Sequence, residues 1–403
     1  MQHKHLDRRD LLRIAAAGAV GAGVAALPGL ASARARDDAE SVLVLVQLGG
    51  GNDGLSMVVP YADDAYGRSR AATRIEPERV LRLDDHVGLN PSMKGLKARF
   101  DAGELAVVQG CGYPRPNRSH FKSMEIWQAA DHRGRAAGEG WVGRLCDVAF
   151  PESHPARLVH VGGTTPFSLY SSRHGAASFV VPEGYRWVEN EDSLASYDDT
   201  VGRVATKNDR LAFLRGVLTD ARESSHAVRA AAASYRPSVR YPDDAFAYDL
   251  MAAAAVIHGG LGTRVVSTTL TGFDTHSGQR ARHDELMRRL DAGLSAFLAD
   301  LSASAIGRNT VVLAFSEFGR RVAENGSKGT DHGTAGPMLV AGARVKGGLH
   351  GKHPSLTELD AGDLVFTTDF RSVYGAVIAG CFGADPAEVL GAEHPRLALV
   401  QPG

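Results

Sequence analysis

The chain alternates short, uninterrupted apolar runs with stretches in which apolar side chains return every three or four positions. Ser41-Val-Leu-Val-Leu-Val-Gln-Leu48 is apolar at successive positions, β-branched and closed by glycines, the pattern of a strand buried on both faces of a parallel sheet. Comparable runs recur at Leu105-Ala-Val-Val108, Leu158-Val-His-Val161, Ser178-Phe-Val-Val-Pro182, Arg264-Val-Val-Ser-Thr-Thr-Leu270, Thr310-Val-Val-Leu-Ala-Phe315 and Met338-Leu-Val-Ala341. From about Arg280 to Leu301 the period changes: Leu286, Met287, Leu290, Leu294, Phe297, Leu298 and Leu301 fall on one face of a helix whose other face is charged. Alanine-rich stretches at about Asp209–Tyr235 and Asp244–His258 predict two more helices. Strands alternating with helices predict an α/β fold, a doubly wound and mostly parallel sheet with helices on both faces, in one domain over residues 41–400.

Residues 1–33 read as an export signal and stand outside that fold. Asp7-Arg8-Arg9-Asp10-Leu11-Leu12 sets an arginine pair ahead of two leucines; a charge-free run of small residues follows from Ile14 to Leu30, and Ala31-Ser32-Ala33 supplies a cleavage site. The run is shorter than a membrane-spanning helix needs, so the expectation is a twin-arginine signal, no stable membrane anchor, and a periplasmic or secreted protein.

Composition narrows the functional classes. The 403 residues carry 45 Lys and Arg against 46 Asp and Glu, and loss of residues 1–33 leaves 41 against 44, a net charge of −3. No basic excess points to nucleic acid. Three cysteines, Cys111, Cys146 and Cys381, are too few for a disulfide scaffold and allow at most one bridge.

In doubly wound sheets ligands bind beyond the carboxyl ends of the strands, so the polar residues there carry the chemistry. The first run leads into Gly49-Gly50-Gly51-Asn52-Asp53-Gly54, a formal Gly-x-Gly-x-x-Gly match that lacks the following helix and second strand of a dinucleotide site. Asp53 reads either as a carboxylate offered to a cation or as part of an Asn-Asp-Gly turn. The second run leads to Asn117-Arg118-Ser119-His120 at a predicted helix start. There Ser119, flanked by Arg118 and His120, reads either as a nucleophile beside an anion site or as a plain N-cap. Asp274 and His276 follow the fifth run, Glu317 follows the sixth, and His332 lies in a glycine-rich loop before the last. Carboxylates and imidazoles without cysteine suit zinc, manganese, calcium or magnesium, and the residue types do not choose among them.

The segments "LGGGNDGLSMVVPY", "NRSHFKSMEIWQ", "FDTHSGQ", "SEFGRRVAENGSKGTDHGTAGPM" and "TTDFRSVYGAVI" resemble the exported family catalogued as domain of unknown function 1501, over nearly all of residues 41–395. That family is in turn similar to the alkaline phosphatase superfamily, which includes sulfatases. The resemblance implies an alkaline phosphatase-like fold, Asp53, Asp274, His276, Glu317 and His332 as ligands of one or two divalent ions per chain, zinc foremost with manganese, calcium or magnesium as alternatives, and Ser119 as nucleophile. The Asp274–His276 spacing is shorter than the superfamily pattern, which offers His283 as a substitute, and Phe318 stands where a metal-binding histidine is expected.

These readings lead to an expected exported metal-dependent hydrolase of a phosphate or sulfate ester, on a small molecule or a polymer. Its catalytic residues would be Ser119, Arg118 and His120, with His120 or His332 as proton donor. A non-catalytic exported binding or assembly protein that keeps the fold is the alternative, and an exported oxidoreductase is a third reading supported only by the glycine match. Partners expected are the ester and the twin-arginine export machinery, not nucleic acid.

Overall fold

The computed structural model describes residues 40–131, 138–186 and 209–402; the signal reading of residues 1–33 lies outside them. A nine-stranded sheet runs through these residues. Its strands are β1 (Val42–Gly49), β2 (Leu105–Gly112), β3 (Leu158–Val161), β4 (Ala176–Phe179), β5 (Val265–Thr271), β6 (Thr310–Phe315), β7 (Gly336–Ala341), β8 (Gly348–His350) and β9 (Thr368–Asp369). Their order is β8-β2-β7-β6-β1-β5-β3-β4, with β9 also on β2. Only β7 runs against its neighbours β2 and β6; the other pairings are parallel, as a mostly parallel doubly wound sheet requires.

β1 lies at the centre, in register with β5 (Val44 opposite Val266) and with β6 (Val44 opposite Val312). Because strand side chains alternate between faces, its sequence feeds two cores. Val42, Val44, Val46 and Leu48 join one, built with α4 (Ala245–His258) and α5 (Gln279–Leu301) through Phe246, Leu250, Met287 and Phe297. Leu43 and Leu45 join the other, built with α1 (His120–Ala129), α2 (Trp141–Ala149) and α6 (Phe370–Phe382) through Trp127, Trp141, Phe370 and Tyr374. A further long helix, α3, spans Asp209–Ser234.

Local sequence sets the boundaries. Asp244 and Asp369 begin α4 and α6 by accepting hydrogen bonds from the amides of Ala247 and Arg371, and Gly383 ends α6 in the left-handed region at φ 63°. The strand expected at Ser178–Pro182 lies at Ala176–Phe179 instead, because Pro182 opens a 3-10 turn. Among the described residues no helix is long and apolar enough to cross a membrane.

Candidate metal centre

The carboxyl ends of β1, β5 and β6 meet at one rim. There the chain turns through Gly50 and Gly51 (φ 118° and 75°), where a Cβ would lie 2.5 Å from the Asp274 amide and 2.2 Å from the Phe318 ring. The glycine run therefore lets β1 pass beneath β5 and β6 at contact distance. The residues after β5 supply Asp274 and His276, those after β6 supply Glu317 and Phe318, and α1 supplies Ser119 and His120 at its start. A two-stranded hairpin, Arg320–Glu324 with Thr330–His332, folds back over the rim and brings in His332 opposite Arg320.

Three imidazoles converge on one carboxylate oxygen. Asp274 Oδ1 lies 3.0 Å from His276 Nε2, 3.1 Å from His332 Nε2 and 3.6 Å from His120 Nε2. Ligand atoms of His120, Asp274 and His332 all lie within 4.8 Å of one another, and His276 joins through His332, their Nε2 atoms being 2.9 Å apart. Each ring's other nitrogen faces an acceptor that fixes its proton there. His120 Nδ1–H donates to Glu317 Oε1 (2.9 Å), His276 Nδ1–H to Asp331 Oδ1 (3.3 Å), and His332 Nδ1–H to the Arg118 carbonyl (2.9 Å). This assignment leaves three Nε2 lone pairs and a carboxylate oxygen pointing at one another. The Arg320 guanidinium, donating to Asp274 Oδ1 at 2.8 Å, offsets part of the repulsion among these inward-facing acceptors. The three imidazole lone pairs still face one another as they would around a further cation, and outward Nδ1–H bonds to carboxylate or carbonyl are the arrangement that orients metal-binding histidines.

The charge states agree with that donor set. Burial opposes ionisation of Asp274, but the hydrogen bond and positive charge of Arg320 outweigh it and its pKa falls to about 2. Burial pushes the His332 pKa down, which keeps its ring neutral and its lone pair available. Neutral imidazoles with one carboxylate match zinc, whose ligands at about 2.0–2.1 Å in a tetrahedron stand about 3.3 Å apart, within the spread of the Asp274 distances.

Asp53 and Glu317 are not brought into this group. Asp53 is turned inward and fully buried: Arg70 donates to both its oxygens (2.5 and 2.9 Å), with Ser56 and Gln279 on Oδ2 (2.6 and 2.5 Å). Burial alone would raise its pKa; the Arg70 guanidinium outweighs that and lowers it. Glu317, also fully buried, accepts from the Gly50 amide at 2.9 Å and from His120, so it stands behind a ring of the cluster rather than within it. His283 is buried with Nε2 on Asn52 Oδ1 at 2.9 Å. Phe318 packs against the rings of His120 and His332, with centroids 4.9 and 4.7 Å away.

Ser119 is the exposed N-cap of α1; its hydroxyl does not cap the helix, and its amide is held by Asn117 Oδ1 at 2.8 Å. It sits in sequence between Arg118, whose carbonyl holds His332, and His120. The Arg118 guanidinium reaches Asp363 at 3.1 Å. Sequence reasoning missed Arg70, Arg320, Asp331 and Asp363. Arg320 carried the one usable signal, a charged residue just beyond a buried strand.

A family model described as "Protein of unknown function (DUF1501)" matches residues 39–372. The comparison with curated proteins returns no match. Among solved structures the chain is similar to the PsFucS1 sulfatase from Pseudoalteromonas sp., at 10% identity over 91% of this chain and 72% of that one, with a TM-score of 0.38. It is also similar to Ps i-CgsB in complex with k-i-k-neocarrahexaose (12% identity, 88% and 73% covered, TM-score 0.37) and to the lipoteichoic acid synthase LtaP from Listeria monocytogenes (7%, 89% and 74%, 0.34).

Proposed function

The chain belongs to the DUF1501 family, and from the site we propose that it is an exported metal-dependent hydrolase of a phosphate or sulfate ester with Ser119 as nucleophile. The observation that carries this reading is the set of three imidazoles, each oriented through Nδ1 so that its Nε2 lone pair meets Asp274 Oδ1. His120, His276, His332 and Asp274 hold the ion, while Glu317, Asp331 and the Arg118 carbonyl orient the rings. When bound, a divalent ion supplies Lewis-acid charge that acidifies a nearby hydroxyl and offsets the anionic ester.

The chain's own residues do the rest. Ser119 Oγ gives up its proton to solvent and bonds to the phosphorus or sulfur while the bridging bond to the alcohol oxygen breaks, and the alkoxide takes a proton from water and leaves. A second water then cleaves the resulting phosphoserine or sulfoserine, releasing inorganic phosphate or sulfate and restoring the hydroxyl. The unpaired amides at the start of α1 and the Arg118 guanidinium receive the equatorial oxygens. In this reading His120 moves from proton transfer to ligation, because its Nε2 faces Asp274. Residues 1–33 act as the twin-arginine signal, and the ester is a small molecule or part of a polymer.

The test is a screen of purified protein against aryl phosphates, phosphodiesters and aryl sulfates, with metal content measured alongside. We expect turnover that is lost in both Ser119→Ala and His332→Ala, with metal lost only in the latter. Metal-loaded wild type without turnover on any ester class sinks the reading. That outcome would favour the non-catalytic binding protein, to which Phe318, an apolar ring packed between two site histidines, lends support.

A further inference from the structure

We infer that the centre holds a single divalent ion per chain, and that the buried guanidinium groups of Arg70 and Arg320 occupy the electrostatic place of a second one. This rests on the metal-site reading above.

The carboxylate that a second ion would need is Asp53, and it has nothing left to offer. Its Oδ2 accepts from Arg70, Ser56 and Gln279, and its Oδ1 from Arg70. Arg70 is as fully engaged: beyond Asp53 and Ser56, its Nε donates to the Val322 carbonyl and its Nη2 to the Arg321 carbonyl, each at 2.9 Å. Both side chains are 0% exposed. An ion entering at Asp53 would have to expel a guanidinium that has no route to water, leaving it unpaired in the core.

Arg320 performs the same service beside Asp274. Its side chain is also 0% exposed, and its nitrogens donate to the carbonyls of Gly51 (2.7 Å), Thr330 (2.8 Å), Gly50 (2.5 Å) and Phe273 (3.1 Å) and to Asp274 Oδ1 (2.8 Å). Phe318 fills the remaining gap against Gly51, His120 and His332. His283 Nδ1 is buried without a partner, but one ring nitrogen beside a saturated carboxylate does not hold a divalent ion.

Charge points the same way. Asp53, Asp274, Glu317 and Asp331 against Arg70 and Arg320 leave two net negative charges around the rim, with Arg118 paired to Asp363 beside them. One divalent ion neutralises that, whereas two would leave +2 beside two guanidinium groups that are already buried and fully bonded.

The test is zinc titration of the chelator-stripped full chain, with bound metal read by calorimetry and elemental analysis, in wild type and in the charge-neutral pair Asp53→Asn/Arg70→Met. The expected result is one zinc per chain in both, with affinities within about threefold of each other. Two zinc ions in wild type would overturn the single-ion inference while leaving the hydrolase reading intact, and no zinc would overturn both. A loss of affinity beyond tenfold in a folded double variant would make Asp53 a ligand and also overturn the inference. Should the double variant fail to fold, the wild-type stoichiometry decides alone.

Discussion

At the scale of single residues, the difference between holding a ring and holding an ion falls on Glu317. Its Oε1 takes the His120 Nδ1–H and the Gly50 amide together, so it fixes both the tautomer of one imidazole and the turn after β1. Glu317→Gln keeps the acceptor oxygen and the shape but removes the charge behind His120. We expect zinc affinity to fall about 10-fold, toward about 100-fold in Glu317→Ala, as removal of orienting partners does at metal sites. Competition with a chromophoric chelator measures it, and unchanged affinity in the alanine variant would detach His120 from the centre. The sequence could bring Asp274, His276 and His332 forward because all lie beside core strands. It gave Asp53 and Glu317 the same standing for the same reason. What it could not reveal is that Arg70, seventeen positions further on, folds back to neutralise Asp53, a contact that no local pattern encodes.

At the scale of elements, the strands were legible because each is a short apolar run with a polar boundary, and α5 because its apolar face repeats with a helical period. The helix α6 was not recognised as one: from Phe370 to Ile378 each residue is buried, so no polar face marks its period. Burial of this kind also carries a pH signature between strands. His160 of β3 donates or accepts across to Ser267 Oγ of β5 at 2.8 Å, and burial lowers its pKa to about 4, against the opposing bond to Ser267. In the unfolded chain the imidazole titrates near 6.5, so between about pH 6.5 and 4 the unfolded state holds the extra proton. Stability is therefore full above that window and falls as pH drops through it. At pH 5 the cost from His160 is ~2 kcal/mol, and His283, lowered to about 4 chiefly by burial, adds a penalty of the same sign. Urea unfolding at pH 7 and pH 5 should show a smaller loss in His160→Gln than in wild type, whatever the variant's stability at pH 7. Equal losses would mean that His160 is protonated in the fold.

At the scale of the whole molecule, the proposed export sets the fold against an oxidising compartment with three cysteines and no pairing among them. Cys111 of β2, Cys146 of α2 and Cys381 of α6 all lie in the core on the α1, α2 and α6 side of the sheet, unbonded and at most 8% exposed. Burial pushes the thiols of Cys146 and Cys381 up to about 12 and that of Cys111 up as well. Disulfide formation requires a thiolate that can reach another sulfur, and at pH 7 a thiol of pKa 12 is ionised only to the order of one part in 100,000. These residues then serve as small apolar filling between the sheet and its helices, and the fold draws its stability from that packing rather than from a bridge. Protein recovered from its export compartment should resist alkylation while folded and take up three labels per chain once denatured without reductant. One label, with two more released by reductant, would establish a disulfide and require the core around Trp127 and Tyr374 to rearrange from the packing seen here.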